Sequence, residues 1–532
     1  MPRLGLNLAA LAAFAVASGG LGCNGKGDEP TATAGESGTD SDAGTKTGGT
    51  ETATDSSGTE TSGTATSGTE TSGTETSAAE TDTDTGDTDG DMYSGECSIT
   101  VVDHSESCAG CPIVNDLRIR CDDWEFGAPG LRVAPAPDSD AIYVVTSSSD
   151  YAWFGALTPD GGGALEELPE PFDRKVLYLA QDPAGSPFIA TDQTQVGDGY
   201  AGGVVLYDAL MGGEELVFDN PNKYSPLIDA EFDSLGRAHL WIITDAPDER
   251  TEFIRGPGPD GAWSSTPAPV PGTTGWQRYG LTADGDSVAL DFAENPANTY
   301  RLFADEGMGA YAISSSFGSQ YPGAYAHTVP PALPTLAGAG PRYLVYSSHD
   351  TGFRVAAPSQ DGFDELMIAT PGLVHFSCLD GYDGEPGSCP DTCDEVTEGI
   401  YERQVAVART QDGRVWAAYG VAHIDQTRAF TEGCDEEVGC WCNFDVTRDD
   451  SWGEIVLLRV DVAAGEAVEV MRVDTLDADL WNTFVDYRES PKTFDMRAFG
   501  DALAIGARVR QPGGQFLVPD MRLLRIDTTQ LP

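Results

Sequence analysis

Val405-Ala-Val-Ala-Arg-Thr-Gln-Asp-Gly-Arg-Val-Trp416 is the stretch that decides the fold. An apolar, partly β-branched run enters a turn built on Asp412 and Gly413, and a second apolar run leaves it. That pattern is a pair of short strands joined by a tight connection. It occurs again as Leu131-Arg-Val leading to Asp140-Ala-Ile-Tyr-Val-Val145, and as Leu177-Tyr-Leu-Ala-Gln-Asp-Pro-Ala-Gly185-Ser-Pro-Phe-Ile-Ala190. Further copies run from Ile228 through Gly236 to Trp241 and from Tyr279 through Gly285 to Leu290. A weaker copy turns at Gly340 before Arg342-Tyr-Leu-Val345, and the last is Met496-Arg-Ala-Phe-Gly-Asp501-Ala-Leu-Ala-Ile505. No long amphipathic helical pattern interrupts them.

The turns are about 45 to 55 residues apart over the first five copies and about 73 and 88 apart afterwards. Two cysteine-rich inserts of roughly 25 residues each, at about 376–400 and 428–450, account for the widening. Four short strands per unit of this length is the signature of a β-propeller. The expectation is therefore an all-β domain over 129–532, a β-propeller of about seven blades; the alternative is a multi-sheet β-sandwich array. The units resemble the degenerate blades of secreted bacterial propellers. They lack the WD and kelch dipeptides, so the resemblance implies an architecture and no particular activity.

Upstream, the chain has a different character. Leu8-Ala-Ala-Leu-Ala-Ala-Phe-Ala-Val-Ala17 is an apolar run too short to span a bilayer, with the length of a signal-peptide core. Ser18-Gly-Gly-Leu-Gly-Cys23 follows, and it resembles the lipobox of bacterial lipoproteins, with Gly20 where the usual leucine stands and Leu21 one place later. The resemblance implies a signal peptide over 1–22, a lipid on Cys23, and a place in the cell envelope, on the outer membrane or cell surface. Cleavage after Ala15-Val-Ala17 is the competing reading; it leaves Cys23 as a free thiol. Cysteine parity favours lipidation, because setting Cys23 aside from the 11 cysteines leaves an even number for disulfides.

From 23 to 95 the chain is mostly Gly, Thr, Ser, Asp and Glu, with the repeat TSGTA-TSGTE-TSGTE over 61–75. Such a segment cannot bury enough apolar surface to offset its ordering entropy and is read as a disordered tether. A coil of this length spans roughly 50 Å end to end. Lipobox, Thr/Ser/Gly/Asp tether and disulfide-bearing β domain together resemble the surface lipoproteins common in myxobacteria. Residues 96–128 are read as a small Cys-rich segment between tether and propeller.

The net charge of −56 divides into about −15 on the tether, about −42 on the domain beyond it and +1 from Arg3. A surface this acidic repels phosphate backbones, which excludes nucleic acid as a partner and favours basic proteins and divalent cations. No cofactor is required by any motif, and calcium is the cation to consider. Asp87, Asp89, Asp91 and Glu96 form an acidic loop at the tether's end, with Asp87, Asp89 and Glu96 at the third, fifth and twelfth positions of a calcium loop. Thr85 stands at the first position and no helices flank it, so an acidic linker end is the plainer reading.

Ten cysteines remain in three clusters, Cys97, Cys108, Cys111 and Cys121; Cys378, Cys389 and Cys393; Cys434, Cys440 and Cys442. Outside the cytoplasm these are disulfide partners by default. Three and three in the last two clusters imply at least one bridge between the inserts. Cys108-Ala-Gly-Cys111 has redox or zinc spacing but no βαβ setting and no second pair.

No nucleophile elbow, zincin helix, Walker loop or dinucleotide fingerprint is present. His239 lies in a strand and reads as structural; His423-Ile-Asp425 sits at a strand end and is suited to acid–base or metal chemistry. Ser348-His-Asp350-Thr-Gly352 partly resembles the Asp-box of sialidase-type propellers, a turn motif remote from the active site. With no complete catalytic motif, the reading leans away from an enzyme. It is a lipid-anchored extracytoplasmic binding or scaffolding propeller for an extracellular protein or glycan, with the inserts and Trp441 carrying recognition. The alternative is an extracellular hydrolase or lyase on the same scaffold, calcium-dependent through the central channel.

Overall fold

The computed structural model describes residues 97–532 apart from connecting segments, the longest being 122–130, 169–177, 194–201, 268–278, 329–343, 481–492 and 512–519; across 264–352 it describes backbone alone. Cys23, expected to carry the lipid, the segment 23–95 read as a tether, and Asp87, Asp89, Asp91 and Glu96 lie outside the described residues.

The stretch 405–416 folds as a strand, a tight turn and a second strand, for identifiable reasons. Asp412 Oδ1 accepts from the Thr410 hydroxyl at 2.7 Å and from the Arg414 amide at 3.0 Å, closing the turn with side-chain oxygens. Gly413 takes φ +86°, which an L side chain rarely adopts. Trp416, fully buried, donates its indole N–H to Thr410 Oγ1 at 3.0 Å, so the strand after the turn is pinned to the turn itself. Asp182 and Gly185 repeat the device, with Asp182 Oδ1 accepting from the Ala184 and Ser186 amides.

Six of the seven sequence copies become the first two strands of an antiparallel sheet. The weaker one meets only the second strand, Leu344–Ser348, its turn at Gly340 lying outside the described residues. Seven such sheets are found among the described residues. Their first strands are Leu131–Pro135, Tyr178–Gln181, Leu227–Phe232, Tyr279–Asp284, Ala326–Thr328, Val405–Arg409 and Phe494–Phe499. Each touches the next in that order, and Phe494–Phe499 touches Leu131–Pro135, so the seven close into a ring. This is a seven-bladed β-propeller, with blades numbered here from Leu131. The buried apolar clusters lie between consecutive blades. Ile142, Val144 and Trp153 of blade 1 meet Leu523 and Met521 of blade 7. Trp416 and Leu457 of blade 6 meet Ile505 and Leu524 on blade 7's other face.

Blade 7 is completed from the other end of the chain. Outward from the ring its strands run Phe494–Phe499, Ala502–Arg510, Asp520–Asp527, Ile113–Cys121 and Cys97–Val101. The Cys-rich segment expected at 96–128 as a separate piece therefore supplies two strands of this blade. Its sequence explains why: Leu117 and Ile119 on Ile113–Cys121 are fully buried, paired in register with Leu523 and Met521. On the opposite face Asp116 meets Arg522, with Nη2 donating to Oδ2 at 2.9 Å and Nε 2.7 Å from Oδ1. Burial raises the Asp116 carboxyl and lowers the Arg522 guanidinium from their ordinary values, against the pull of each on the other.

Candidate functional site

Blade 6 departs from the others through one strand. Val415–Asp435 is 21 residues long. Its first part, to His423, is the second strand of the blade and pairs with Trp452–Asp461. Beyond His423 the same strand continues out of the blade for about 40 Å, at about 3.3 Å per residue. There it is flanked by Thr392–Gly399 on one side and Gly439–Asp449 on the other. The two cysteine-rich inserts are thus one three-stranded sheet rather than two loops. No glycine or proline breaks the chain from Val421 to Glu432, which is the sequence signal for that continuation.

Disulfides fasten this sheet. Cys389 is bonded to Cys442 and so joins the two inserts; Cys378–Cys393 and Cys434–Cys440 close each insert on itself. Elsewhere Cys108 is bonded to Cys111 at the edge of the core between blades 6 and 7, and Cys97, opposite Cys121 in register, is also disulfide-bonded. The CxxC spacing therefore serves as a disulfide. Bonds of this kind persist in oxidising compartments.

One face of the sheet is packed. Gln426 and Arg428 on the central strand are buried, as is Glu395 opposite Gln426. Glu395 accepts from the Ser377 amide at 2.9 Å, the Ser377 hydroxyl at 3.0 Å and the Cys378 amide at 2.9 Å, so one carboxylate holds the incoming segment. The Arg428 guanidinium lies between two rings, 4.3 Å from the centroid of Phe376 and 4.5 Å from that of Phe444. Burial lowers its pKa from the usual arginine value. This sandwich and the Phe430–Phe444 contact fix Phe444, which nonetheless keeps 44% of its surface exposed.

The other face is open. Small residues, Thr427, Ala429, Thr431 and Gly433, line the central strand, with Trp441, Asn443, Asp445 and Arg448 beside them in register. The indole of Trp441 lies on Gly433: a Cβ there would come within 2.7 Å of the ring. Trp441 is 40% exposed. Arg448 is held by Asp425 and Asp450, whose hydrogen bonds raise its pKa.

At the base of the sheet His423 stacks on Trp452 at 3.9 Å and 6° between planes. Its Nδ1 is 3.5 Å from Glu398 and its Nε2 is 3.5 Å from Glu454, which also pairs with Arg472. Asp425 points instead to Arg448, so His423 and Asp425 are not brought together as an acid–base pair. His239 is buried within blade 3. The partial Asp-box falls at 348–352, with His349 to Thr351 outside the described residues.

The centre of the ring carries charge of its own. Arg497 on the first strand of blade 7 donates to Glu231 on the first strand of blade 3 at 2.8 Å. Blades 1 and 2 stand between those strands, so the ion pair crosses the central channel. Asp495, beside it, accepts from the Val133 amide at 3.0 Å. Neither this pair nor the Glu395 and Arg428 anchors is legible in the sequence, because each joins residues that only the folded chain brings together. No group of three or more metal-ligating side chains occurs among the described residues, and no helix among them is long and apolar enough to cross a membrane.

No family model matches the chain, and no curated protein matches it. Among solved structures it is similar to a protein from Lactobacillus plantarum, at 12% identity and TM-score 0.39, over 68% of this chain and 87% of that one. It is also similar to a putative 6-phosphogluconolactonase from Bacteroides fragilis, at 13% identity and TM-score 0.36, over 76% and 99%. A third similarity is to the WD40 domain of SCAP from fission yeast, at 8% identity and TM-score 0.33, over 82% and 99%.

Proposed function

We propose that this chain is a lipid-anchored extracytoplasmic binding protein, in which the propeller is a rigid platform and the sheet leaving blade 6 is the recognition element. The observation that carries this reading is the sheet itself: a disulfide-fastened extension, outside the repeat, that holds Trp441 and Phe444 partly exposed. Aromatic side chains presented by a rigid element lose little entropy on binding. The signal core, Cys23 and the tether support anchoring and reach. A hydrolase or lyase asks for carboxylates free at the ring's centre, whereas Glu231 there is engaged by Arg497.

The test compares the full chain with a variant in which Gln426–Asp449 is replaced by Asn-Gly and Cys389 by Ser. Asp425 and Asp450 are joined by a backbone hydrogen bond, so a two-residue turn fits between them. Partners captured from envelope and culture fluid are expected to be lost with the sheet. Identical partners and affinities for both chains would remove the sheet from the function. Anchoring is tested apart: Cys23→Ala is expected to release the protein from membranes, and unchanged retention would exclude the lipid.

A further inference from the structure

We infer that the outer edge of Gly439–Asp449 is a docking strand for an extended, basic polypeptide segment of another protein, which adds to the sheet as a fourth strand. The inference rests on the sheet being the recognition element and names its partner's chemistry.

Gly439–Asp449 pairs with the central strand only; among the described residues its other edge carries no strand. An unpaired strand edge is a row of N–H and C=O groups ready to accept another chain. Natural edges are commonly blunted by proline, lysine or a bulge. This one has no proline or lysine, and its one register irregularity, opposite Thr427 and Arg428, comes near its end. From Gly439 to Val446 the pairing is continuous.

Side chains alternate along this edge to serve both faces of an added strand. Trp441 projects on the open face and Phe444 on the other, 40% and 44% exposed. The disulfides Cys389–Cys442 and Cys434–Cys440 hold the edge in place before any partner arrives.

Charge selects the occupant. Residues 425–450 contain eight acids and two arginines. Arg428 is enclosed by two phenyl rings and Arg448 is engaged by Asp425 and Asp450. A cationic segment is therefore attracted and an anionic one repelled. A second copy of this chain, with net charge −56, meets the same repulsion.

The experiment measures fluorescence anisotropy of a labelled decapeptide alternating lysine and valine, against a glutamate–valine counterpart, with the full chain. Neighbouring residues of a strand point their N–H groups to opposite sides, so one of Asn443→Pro and Phe444→Pro removes an outward N–H and the other a ladder bond. The outward variant is expected to melt as the parent does and bind at least about tenfold more weakly, with charge unchanged. Asp445→Lys and Trp441→Ala, both at exposed sites, are expected to weaken binding by a similar factor, and they decide the matter if both prolines unfold the sheet. Equal binding by all folded variants means diffuse charge attraction and overturns the proposal. So does binding of the acidic peptide, capture of a neutral oligosaccharide such as cellohexaose in place of the peptide, or self-association through this edge in sedimentation. If partners captured by the full chain are lost with the sheet but kept by the edge variants, only strand addition fails. If they survive loss of the sheet, the binding reading fails as well.

Discussion

Arg508 sits on Ala502–Arg510, a strand packed on both faces, with no surface exposed. None of its three guanidinium nitrogens meets an acceptor among the described residues, and burial alone pushes its pKa down to about 9. A buried cation without a partner is a standing cost to the fold. Arg508→Met keeps the length of the side chain and removes the charge. It is expected to stabilise the domain by about 1–3 kcal/mol, read as a higher urea midpoint at unchanged slope; a lower midpoint would show that the charge is compensated. Glu395 is the opposite case: the Ser377 amide and hydroxyl and the Cys378 amide all donate to it. Glu395→Gln keeps the shape but sets an N–H₂ against an N–H. It is expected to cost about 2 kcal/mol and to speed amide exchange at Ser377 and Cys378; unaltered exchange there would deny it the anchoring role. Neither residue was legible in the sequence. Arg508 falls where an alternating strand would place a solvent-facing residue, and Glu395 is one acid among 86 in the chain.

At the scale of the element, cysteine parity was the legible part: three and three require a link, and Cys389–Cys442 is one. The inserts' form was not legible in the same way, because cysteine density and a broken repeat period both suggest loops. The continuous strand to Asp435 was marked only by the missing glycines and prolines between Val421 and Glu432. The two bridges to the outer strand differ in what they enclose. Cys389–Cys442 spans 53 residues, including the first two strands of blade 6, whereas Cys434–Cys440 spans 6 at the tip. Chain-entropy reasoning gives about 4 kcal/mol for the first and about 2 kcal/mol for the second. Replacing Cys389 and Cys442 by serine is therefore expected to lower the urea midpoint of the whole domain. Replacing Cys434 and Cys440 is expected to act chiefly on exchange in the hairpin. The reverse order would mean that the sheet and the blade unfold independently.

For the whole molecule, the repeat made seven blades legible but not how the ring is joined. Closure has no period: it pairs Ile113–Cys121 with Asp520–Asp527, about 400 residues away, and only the alternation of Leu117 and Ile119 with polar neighbours marked a strand. Those two strands are the seam. On one face Leu117 and Ile119 complete the core against blade 1; on the other Asp116 pairs with Arg522, and Arg118 and Arg120 both reach Asp520, at 2.6 and 2.8 Å. Asn115 ties the seam to blade 1, donating to the Leu157 carbonyl at 2.9 Å and the Asp140 carbonyl at 3.0 Å. A chain beginning at Glu96 retains all of this and is expected to melt with the full chain. A chain beginning at Asp122 loses both strands, and with them the Asp116 carboxylate that pairs with Arg522 and both arginines that reach Asp520. It also uncovers the edge of Asp520–Asp527 and takes Leu117 and Ile119 out of the core shared with blade 1. Since the stability of a domain is only about 5–15 kcal/mol, the shorter chain is expected to lose its cooperative melt, and a peptide of residues 96–121 supplied in trans is expected to restore it. The Asp116→Asn peptide, with every apolar contact intact, is expected to restore it less well. A cooperative melt of the shorter chain at the parent temperature would show that the ring holds without its seam.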